Sequence, residues 1–231
     1  MGEAMKKIGM GIGICVLWVV TSLFADDEIE KLRRRIKIIV PNAVGWCSEE
    51  KGLALLDLVL EVKPKVVVEI GVFGGASFLP MACGVKHLKS GIIYAIDSWN
   101  NIECVKHLDP IEDKEHIDWW RTVRLLDVYA SFLDKLLLFD YENYAIILRK
   151  SSEEAVSDIG AIDILHIDGH RSEEITALDV KLYLPKVVSG GYICLGDTLS
   201  FYKQKAIEML LEECHVVKVL DNGNCILFQK R

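Results

Sequence analysis

Short apolar runs alternate along this chain with segments of helical length. Residues 65–70, 92–96, 144–148, 162–167 and 192–195 consist largely of apolar side chains and show little alternation with polar ones. Such runs are typical of parallel strands that are buried on both faces of a sheet. Their regular alternation with helices predicts an α/β fold built on a doubly wound, mostly parallel sheet.

Helix signals fill the segments between these runs. Ser48 is an N-cap candidate before Glu49 and Glu50, and the apolar periodicity that follows it ends at Pro64. Further helices are predicted over residues 28–39, 76–85, 117–138, 173–182 and 203–212, and a short one after Ser151 or Ser152. Residues 98–116 are polar and irregular.

The C-terminal end departs from the alternation of strand and helix. Residues 216–220 and 226–229 flank a four-residue segment that contains Asn222 and Gly223. An Asn-Gly pair between two apolar runs is a strong signal for a tight hairpin. We therefore expect an antiparallel hairpin at one side of an otherwise parallel sheet.

The N-terminus has the pattern of a targeting segment. Residues 8–24 carry no charged side chain, and Lys6 and Lys7 precede them. This order resembles a secretory signal peptide, so residues 1–25 are predicted to be a cleaved leader or an uncleaved membrane anchor, with a buried core helix as the alternative. We then expect an exported or membrane-anchored protein with one domain over residues 26–231, or a cytoplasmic protein if the alternative holds.

The charge and the cysteines argue against nucleic-acid binding and against a thiolate metal site. Acidic side chains outnumber basic ones 34 to 27, giving a net charge of -7, which disfavours a nucleic-acid partner because phosphates require clustered cations. The seven cysteines include no Cys-x-x-Cys pair, so a thiolate metal site is not expected. They are interpreted as small buried apolar residues.

Candidate ligand-binding residues follow the strands, because ligands of open parallel sheets bind outside the carboxyl ends of the strands. Residues 69–77 read Glu-Ile-Gly-Val-Phe-Gly-Gly-Ala-Ser, a glycine turn between a strand and a helix. The spacing matches neither a Walker loop nor the dinucleotide fingerprint, which argues against a nicotinamide-dependent dehydrogenase. Asp97 ends the second strand, where a carboxylate can accept both hydroxyls of a ribose.

In these residues the chain resembles the class I S-adenosylmethionine-dependent methyltransferases, with their Rossmann-like sheet. Glu69, Gly71 and Gly75 match the first motif of that family, and Asp97 matches the second. The resemblance implies that S-adenosylmethionine is the cofactor. It implies as cofactor-binding residues Glu69, Gly71, Val72, Phe73, Gly75, Ser77, Asp97, Ser98 and Ser151.

The segment 162–174 and the residues around Gly196 resemble the subgroup that contains macrocin-type sugar O-methyltransferases. The resemblance implies that Asp168 and Asp197 hold a divalent metal such as Mg²⁺ against the acceptor hydroxyl. Gly196 stands where many members of the subgroup have another metal-binding residue. His170 is the candidate general base, with helix capping or loop packing as its alternative role.

The resemblance implies methyl transfer to a hydroxyl of a small acceptor, such as a sugar, with or without a metal. The alternative is a non-catalytic binding protein that retains the fold. His166, inside the fourth strand, is interpreted as a hydrogen-bonded core residue rather than a catalyst. Of the pair Trp119 and Trp120, one is expected to be buried and the other to face the cleft or solvent.

Overall fold

A computed structural model describes residues 27–231 and contains one seven-stranded sheet. The strands are β1 (Val66–Ile70), β2 (Ile92–Ile96), β3 (Ala145–Leu148), β4 (Ile162–Ile167), β5 (Val187–Gly196), β6 (Cys214–Leu220) and β7 (Cys225–Lys230). Their order is β3-β2-β1-β4-β5-β7-β6, and β7 pairs antiparallel with both β5 and β6. The predicted doubly wound, mostly parallel sheet with an antiparallel C-terminal hairpin is confirmed.

Helices cover both faces of the sheet. Residues 27–42 are helical (α1), and the other helices are α2 (Glu49–Val62), α3 (Phe78–Leu88), α4 (Asn101–Cys104), α5 (Lys114–Thr122), α6 (Leu125–Leu138), α7 (Ser152–Ala155), α8 (Glu173–Tyr183) and α9 (Gln204–Glu213). One face of the central strands packs under α1, α2, α3 and α6, and the opposite face packs under α7, α8 and α9. The two apolar layers exclude water from both faces, as the unalternated strand sequences require.

Two departures from the predicted elements have a clear local cause. The single helix predicted over residues 117–138 is divided, because Val123 is extended and Nδ2 of Asn101 donates to the carbonyls of Trp120 and Val123 at 2.5 and 2.9 Å. These two bonds replace the helical bonds lost at the break. Strand β5 begins at Val187, five residues earlier than predicted, because Gly190 and Gly191 lie within an irregular stretch of the strand and not in a turn before it.

The predicted leader over residues 1–25 lies outside the described residues and stays a prediction. In the part of the chain that the structure describes, no helix has both the length and the apolar character needed to span a membrane. The six cysteines of that part are free thiols, and four of them are buried.

Candidate functional site

A cleft of about 680 Å³ opens at the carboxyl ends of the central strands. The residues that follow β1, β2, β4 and β5 all border it, as expected for an open parallel sheet. Ten of the twelve residues that the sequence singled out line the cleft: Gly71, Val72, Phe73, Ser77, Asp97, Ser98, Ser151, Asp168, His170 and Asp197. The topology therefore brings together residues that are up to 126 positions apart in sequence, from Gly71 to Asp197.

Asp97 is held beside the glycine turn by backbone amides. Its Oδ2 accepts a hydrogen bond from the Phe73 amide at 2.9 Å, and its Oδ1 accepts one from the Trp99 amide at 2.7 Å. Burial raises the pKa of Asp97, although the amide bonds oppose this effect. The indole of Trp99 donates to the carbonyl of Phe73 at 2.8 Å, so a second hydrogen bond joins the loop after β1 to the loop after β2. The carboxylate is therefore fixed in place at the wall of the cleft.

Glu69 does not line the cleft, contrary to the expectation that it contacts the cofactor. Residue 69 points toward the sheet face that packs under α2 and α3, because side chains alternate along β1. Its carboxylate is fully buried and accepts a hydrogen bond from the Ser77 hydroxyl at 2.5 Å. Glu69 thus fixes the end of the glycine turn from below.

Gly75 is also placed differently from the expectation. It has a φ of +87°, and a Cβ atom there would lie 2.7 Å from the ring of Phe132 on α6. The absence of a side chain at this position therefore serves helix packing, and Gly75 does not border the cleft.

Two of the serines that line the cleft, Ser77 and Ser151, have local structural partners. The Ser77 hydroxyl donates to Glu69, as described above. Ser151 is the N-cap of α7 and forms a capping box with Glu154, whose amide donates to the Ser151 hydroxyl at 3.2 Å. The Ser151 side chain therefore caps a helix where it lines the cleft.

An ion pair between Lys51 and Asp168 lies at the floor of the cleft, and no pattern in the sequence predicted it. Nζ of Lys51 donates to Oδ2 of Asp168 at 2.6 Å, and the exposed fractions of the two side chains are 4% and 18%. Burial opposes charge on both groups, but their mutual attraction raises the pKa of Lys51 and lowers that of Asp168. Both residues are therefore charged.

One local signal could have drawn attention to Lys51. It is the third residue of α2, and a cation in the first turn of a helix is unfavourable against the helix dipole. Ser48 and two glutamates make this turn an ordinary helix start in every other respect. A lysine there suggests a partner elsewhere in the fold.

The predicted metal ligands do not fit a divalent cation. Asp168 is paired with Lys51, and Oδ2 of Asp197 accepts from Nε of Arg171 at 3.3 Å. Gly196 adds no donor, and residues 27–231 contain no cluster of three His, Cys, Asp or Glu side chains that could hold a metal. Mg²⁺ is bound through oxygen ligands in octahedral geometry, whereas here each carboxylate already faces a cationic side chain. The assignment of Asp168 and Asp197 as metal ligands is therefore corrected.

His170 lacks the free lone pair that a general base requires. Its Nδ1 accepts a hydrogen bond from the Ser172 amide at 2.9 Å, so the neutral ring carries its proton on Nε2. Burial lowers the pKa of His170 to about 4. The ring thus has the loop-packing role that was the alternative to catalysis. The backbone carbonyl of His170 also accepts a hydrogen bond from Nζ of Lys203 at 2.9 Å.

His166 lies in the core, beneath the floor of the cleft. It is fully buried, with Nδ1 3.2 Å from Glu69 Oε1 and Nε2 3.7 Å from Asp168 Oδ2. The core position agrees with the sequence interpretation, but neither ring nitrogen makes a well-formed hydrogen bond. A row of buried polar groups therefore runs from Glu69 through His166 to the Lys51–Asp168 pair.

Four aromatic side chains form a wall at one side of the cleft: Trp46, Phe73, Trp119 and Trp120. The Trp46 and Phe73 rings are stacked with centroids 5.3 Å apart, and the Trp119 and Trp120 rings are 4.7 Å apart. Trp46 is 68% exposed in spite of its apolar ring. Trp119 is 42% exposed, whereas Trp120 is half-buried and packs against the core, so the two differ in burial as expected, although both line the cleft.

Comparisons with known proteins agree with this architecture. The sequence profile of a family described as Methyltransferase domain matches residues 68–198, more than half of the chain. The methyltransferase PaMTH1 of Podospora anserina, solved with S-adenosylhomocysteine, has a TM-score of 0.59 at 14% identity and matches over 89% of this chain and 88% of its own. No curated protein is similar enough in sequence to count as a relative.

Two further solved structures share the fold at low identity. The O-methyltransferase TomG of Streptomyces achromogenes, involved in tomaymycin synthesis and solved with S-adenosylmethionine, has a TM-score of 0.57 at 12% identity, over 80% of this chain and 82% of its own. The O-methyltransferase of Bacillus cereus, solved with S-adenosylhomocysteine, has a TM-score of 0.54 at 12% identity, over 87% of this chain and 91% of its own. These likenesses establish the fold.

Proposed function

This chain belongs to the methyltransferase domain family that its residues 68–198 match, and from that premise we propose that it transfers the methyl group of S-adenosylmethionine to a hydroxyl of a small acceptor. The observation that carries the proposal is the Asp97 carboxylate, which two backbone amides fix beside the glycine turn. A ribose needs such a fixed double acceptor at the end of the second strand.

The glycine turn before α3 supports binding of the donor's methionine end, because it lets the backbone approach a ligand. The helix itself offers few amides, since the Leu79 amide donates to the Gly75 carbonyl at 2.9 Å and Pro80 has no amide hydrogen. The turn that leads into it includes Gly71, which has a φ of +86° and borders the cleft. The amino-acid end of S-adenosylmethionine is placed here in the proposal, and the ribose on Asp97.

The acceptor is proposed to lie between the aromatic wall and the Lys51–Asp168 pair. Flat aromatic side chains bind a planar ring by stacking, or the apolar face of a sugar. The paired charges at the floor provide partners for a hydroxyl group. A small molecule that carries a hydroxyl on a ring therefore matches both surfaces.

Calorimetry of the full chain with S-adenosylhomocysteine tests the proposal. We expect Asp97→Ala to weaken binding about 10- to 100-fold, since two charge-assisted contacts to the ribose are lost. Asp163→Ala is the matched control, because Asp163 also accepts from two backbone amides, at 2.8 and 2.9 Å, but at the opposite end of the strands. Its affinity should equal that of the wild type.

The alternative of a non-catalytic binding protein makes a different prediction. A chain that binds no S-adenosylhomocysteine at about 1 mM, the upper end of ordinary KM values, would contradict the methyltransferase activity and leave a binding role for the cleft. An equal loss of affinity in the Asp97 and Asp163 variants would remove Asp97 from the donor site.

A further inference from the structure

We propose that the Lys51 ammonium takes the place of the divalent cation at the acceptor end of the cleft, so that Lys51 holds the acceptor hydroxyl and methyl transfer needs no metal. This inference rests on the proposed methyl transfer and adds a catalytic residue from outside the segments that resemble the family. It follows from three features of the site: the position of Lys51, the space beside Gly196, and the charges nearby.

The position of Lys51 is unusual for a lysine. Its side chain is 4% exposed and still lines the cleft, where it contacts Asp168 at 2.6 Å. Burying an ammonium group is costly unless it is paired, and lysines are almost never fully buried without a partner. Apolar residues of similar volume often stabilise a fold as well as a buried ion pair does. The presence of the pair at the cleft floor therefore points to a functional use of the charge.

Gly196 leaves the space that the pair occupies. A Cβ atom at this position would lie 2.0 Å from Oδ1 of Asp168 and 3.0 Å from Nζ of Lys51. Any other residue would therefore displace the carboxylate. The glycine removes a potential third metal ligand and, by the same change, makes room for the lysine and its partner.

The surrounding charges disfavour a metal ion and suit an anionic oxygen. Arg171 pairs with Asp197, and the buried Lys203 lies below the same end of the cleft, where its Nζ donates to the His170 carbonyl. A divalent cation beside Asp168 would meet the Lys51 ammonium at contact distance and be repelled by it. An acceptor oxygen that loses its proton would instead be attracted.

The chemistry of the transfer can be written for these groups. A lone pair of the acceptor oxygen attacks the methyl carbon; the C–O bond forms as the C–S bond breaks, and the bonding pair remains on sulfur, which becomes neutral. The hydroxyl proton passes to Oδ1 of Asp168 and then to solvent. Lys51 stays protonated, donates to the same oxygen and stabilises the negative charge that develops as the proton leaves.

The first test needs no acceptor. The full chain, saturated with S-adenosylhomocysteine, is titrated with Mn²⁺, and free Mn²⁺ is measured by electron paramagnetic resonance. We expect a dissociation constant for Mn²⁺ larger than about 1 mM, because the Lys51 ammonium occupies the position that the metal ion would take. Tighter binding that Asp168→Asn abolishes would overturn the proposal.

The second test measures methyl transfer to 4-nitrocatechol, a chromogenic ring hydroxyl, with and without excess EDTA. We expect EDTA to have no effect, and Lys51→Met to lower the rate at least ~100-fold while its S-adenosylhomocysteine affinity stays within about twofold. Lys51→Arg should retain more activity than Lys51→Met, and Gly196→Ala should lose activity by displacing Asp168.

The outcomes separate this inference from the proposed function. Loss of activity in EDTA, or a Lys51→Met variant as fast as the wild type, overturns the role of Lys51. Failure of the wild type to bind S-adenosylhomocysteine contradicts the proposed function, and the Mn²⁺ titration, carried out on the chain without S-adenosylhomocysteine, then decides whether Lys51 excludes the metal. If Lys51→Met does not fold, as judged by thermal unfolding, the Lys51→Arg and Gly196→Ala variants decide the role.

Discussion

Gly71 and Gly169 meet so closely at the carboxyl ends of β1 and β4 that a Cβ atom at Gly71 would lie 2.3 Å from the Cα atom of Gly169. Gly71 also has a φ of +86°, a conformation that side chains disfavour. The two turns that border the cleft therefore pack backbone against backbone. The position of the glycine turn depends on this contact, and so does that of Asp168, whose amide donates to the carbonyl of Ile70 at 3.0 Å.

We expect Gly71→Ala to destabilise the chain by about 2–4 kcal/mol, through the sum of positive-φ strain and overpacking. Gly160→Ala is the control, since a Cβ atom there meets nothing within 4 Å, and it should change the free energy of unfolding by less than about 0.5 kcal/mol. Urea unfolding of the three proteins measures both values. Equal stabilities would show that the two turns can separate at little cost.

The sequence indicates the parts of the site that depend on local signals. Gly71 and Asp97 could be identified because each directly follows a buried strand, and the strand order then places them at one edge. The Lys51–Asp168 pair could not be identified in this way, because its members are 117 positions apart and α2 resembles an ordinary amphipathic helix. The break near Val123 also depends on a distant partner, the Asn101 side chain.

The direction of side chains within a strand explains the remaining differences. Glu69 matches a family motif by position, but the alternation along β1 turns its carboxylate away from the cleft and toward Ser77 and His166. A motif match predicts where in the fold a residue lies, but not which way its side chain points. Whether the side chain faces the ligand depends on the packing of the strand against α2 and α3.

Asp179 should make stability depend on pH. It is 1% exposed, its Oδ1 accepts a hydrogen bond from the Ser152 hydroxyl, and burial raises its pKa to about 6. A raised pKa means that the folded state binds the proton more tightly than the unfolded state. The contribution of Asp179 to stability is therefore complete below about pH 4 and is lost as the pH rises through 6.

We accordingly expect Asp179→Asn to be more stable than the wild type at pH 7–8 by up to about 3 kcal/mol, since the ionised carboxylate is no longer buried. The difference should vanish near pH 4, where Asp179 is protonated. Asp134→Asn, on the exposed face of α6, serves as the control. Urea unfolding from pH 4 to 8 provides the measurement, and a stabilisation that is equal at every pH would assign the effect to something other than ionisation.

His170 should remain neutral over the range in which most enzymes work. Burial lowers its pKa from the ordinary value of 6.5 to about 4, so the folded state favours the neutral ring, and its contribution to stability is complete above about pH 6.5 and is lost as the pH falls from there through about 4. We expect its ring Cε1–H signal, assigned by comparison with His170→Asn, to stay constant between about pH 8 and pH 5 in NMR spectra. A titration midpoint above about 5.5 would restore His170 as a candidate base.

Trp46, the most exposed ring of the aromatic wall, should bind the acceptor without contributing much to folding. Trp46 is 68% exposed and stacks on Phe73, so its removal exposes little of the core, yet it takes away one face of the proposed acceptor site. We expect Trp46→Ala to weaken binding of 4-nitrocatechol in the presence of S-adenosylhomocysteine about 2- to 10-fold, the loss of one stacking contact. Phe201→Ala is the matched control, because Phe201 is 62% exposed and lies against Tyr202 with centroids 3.8 Å apart, outside the cleft lining. Calorimetry compares the affinities and thermal unfolding compares the stabilities. If both variants bind the ring equally well, the acceptor does not lie against Trp46, and the floor formed by Lys51 and Asp168 must position it without help from the wall.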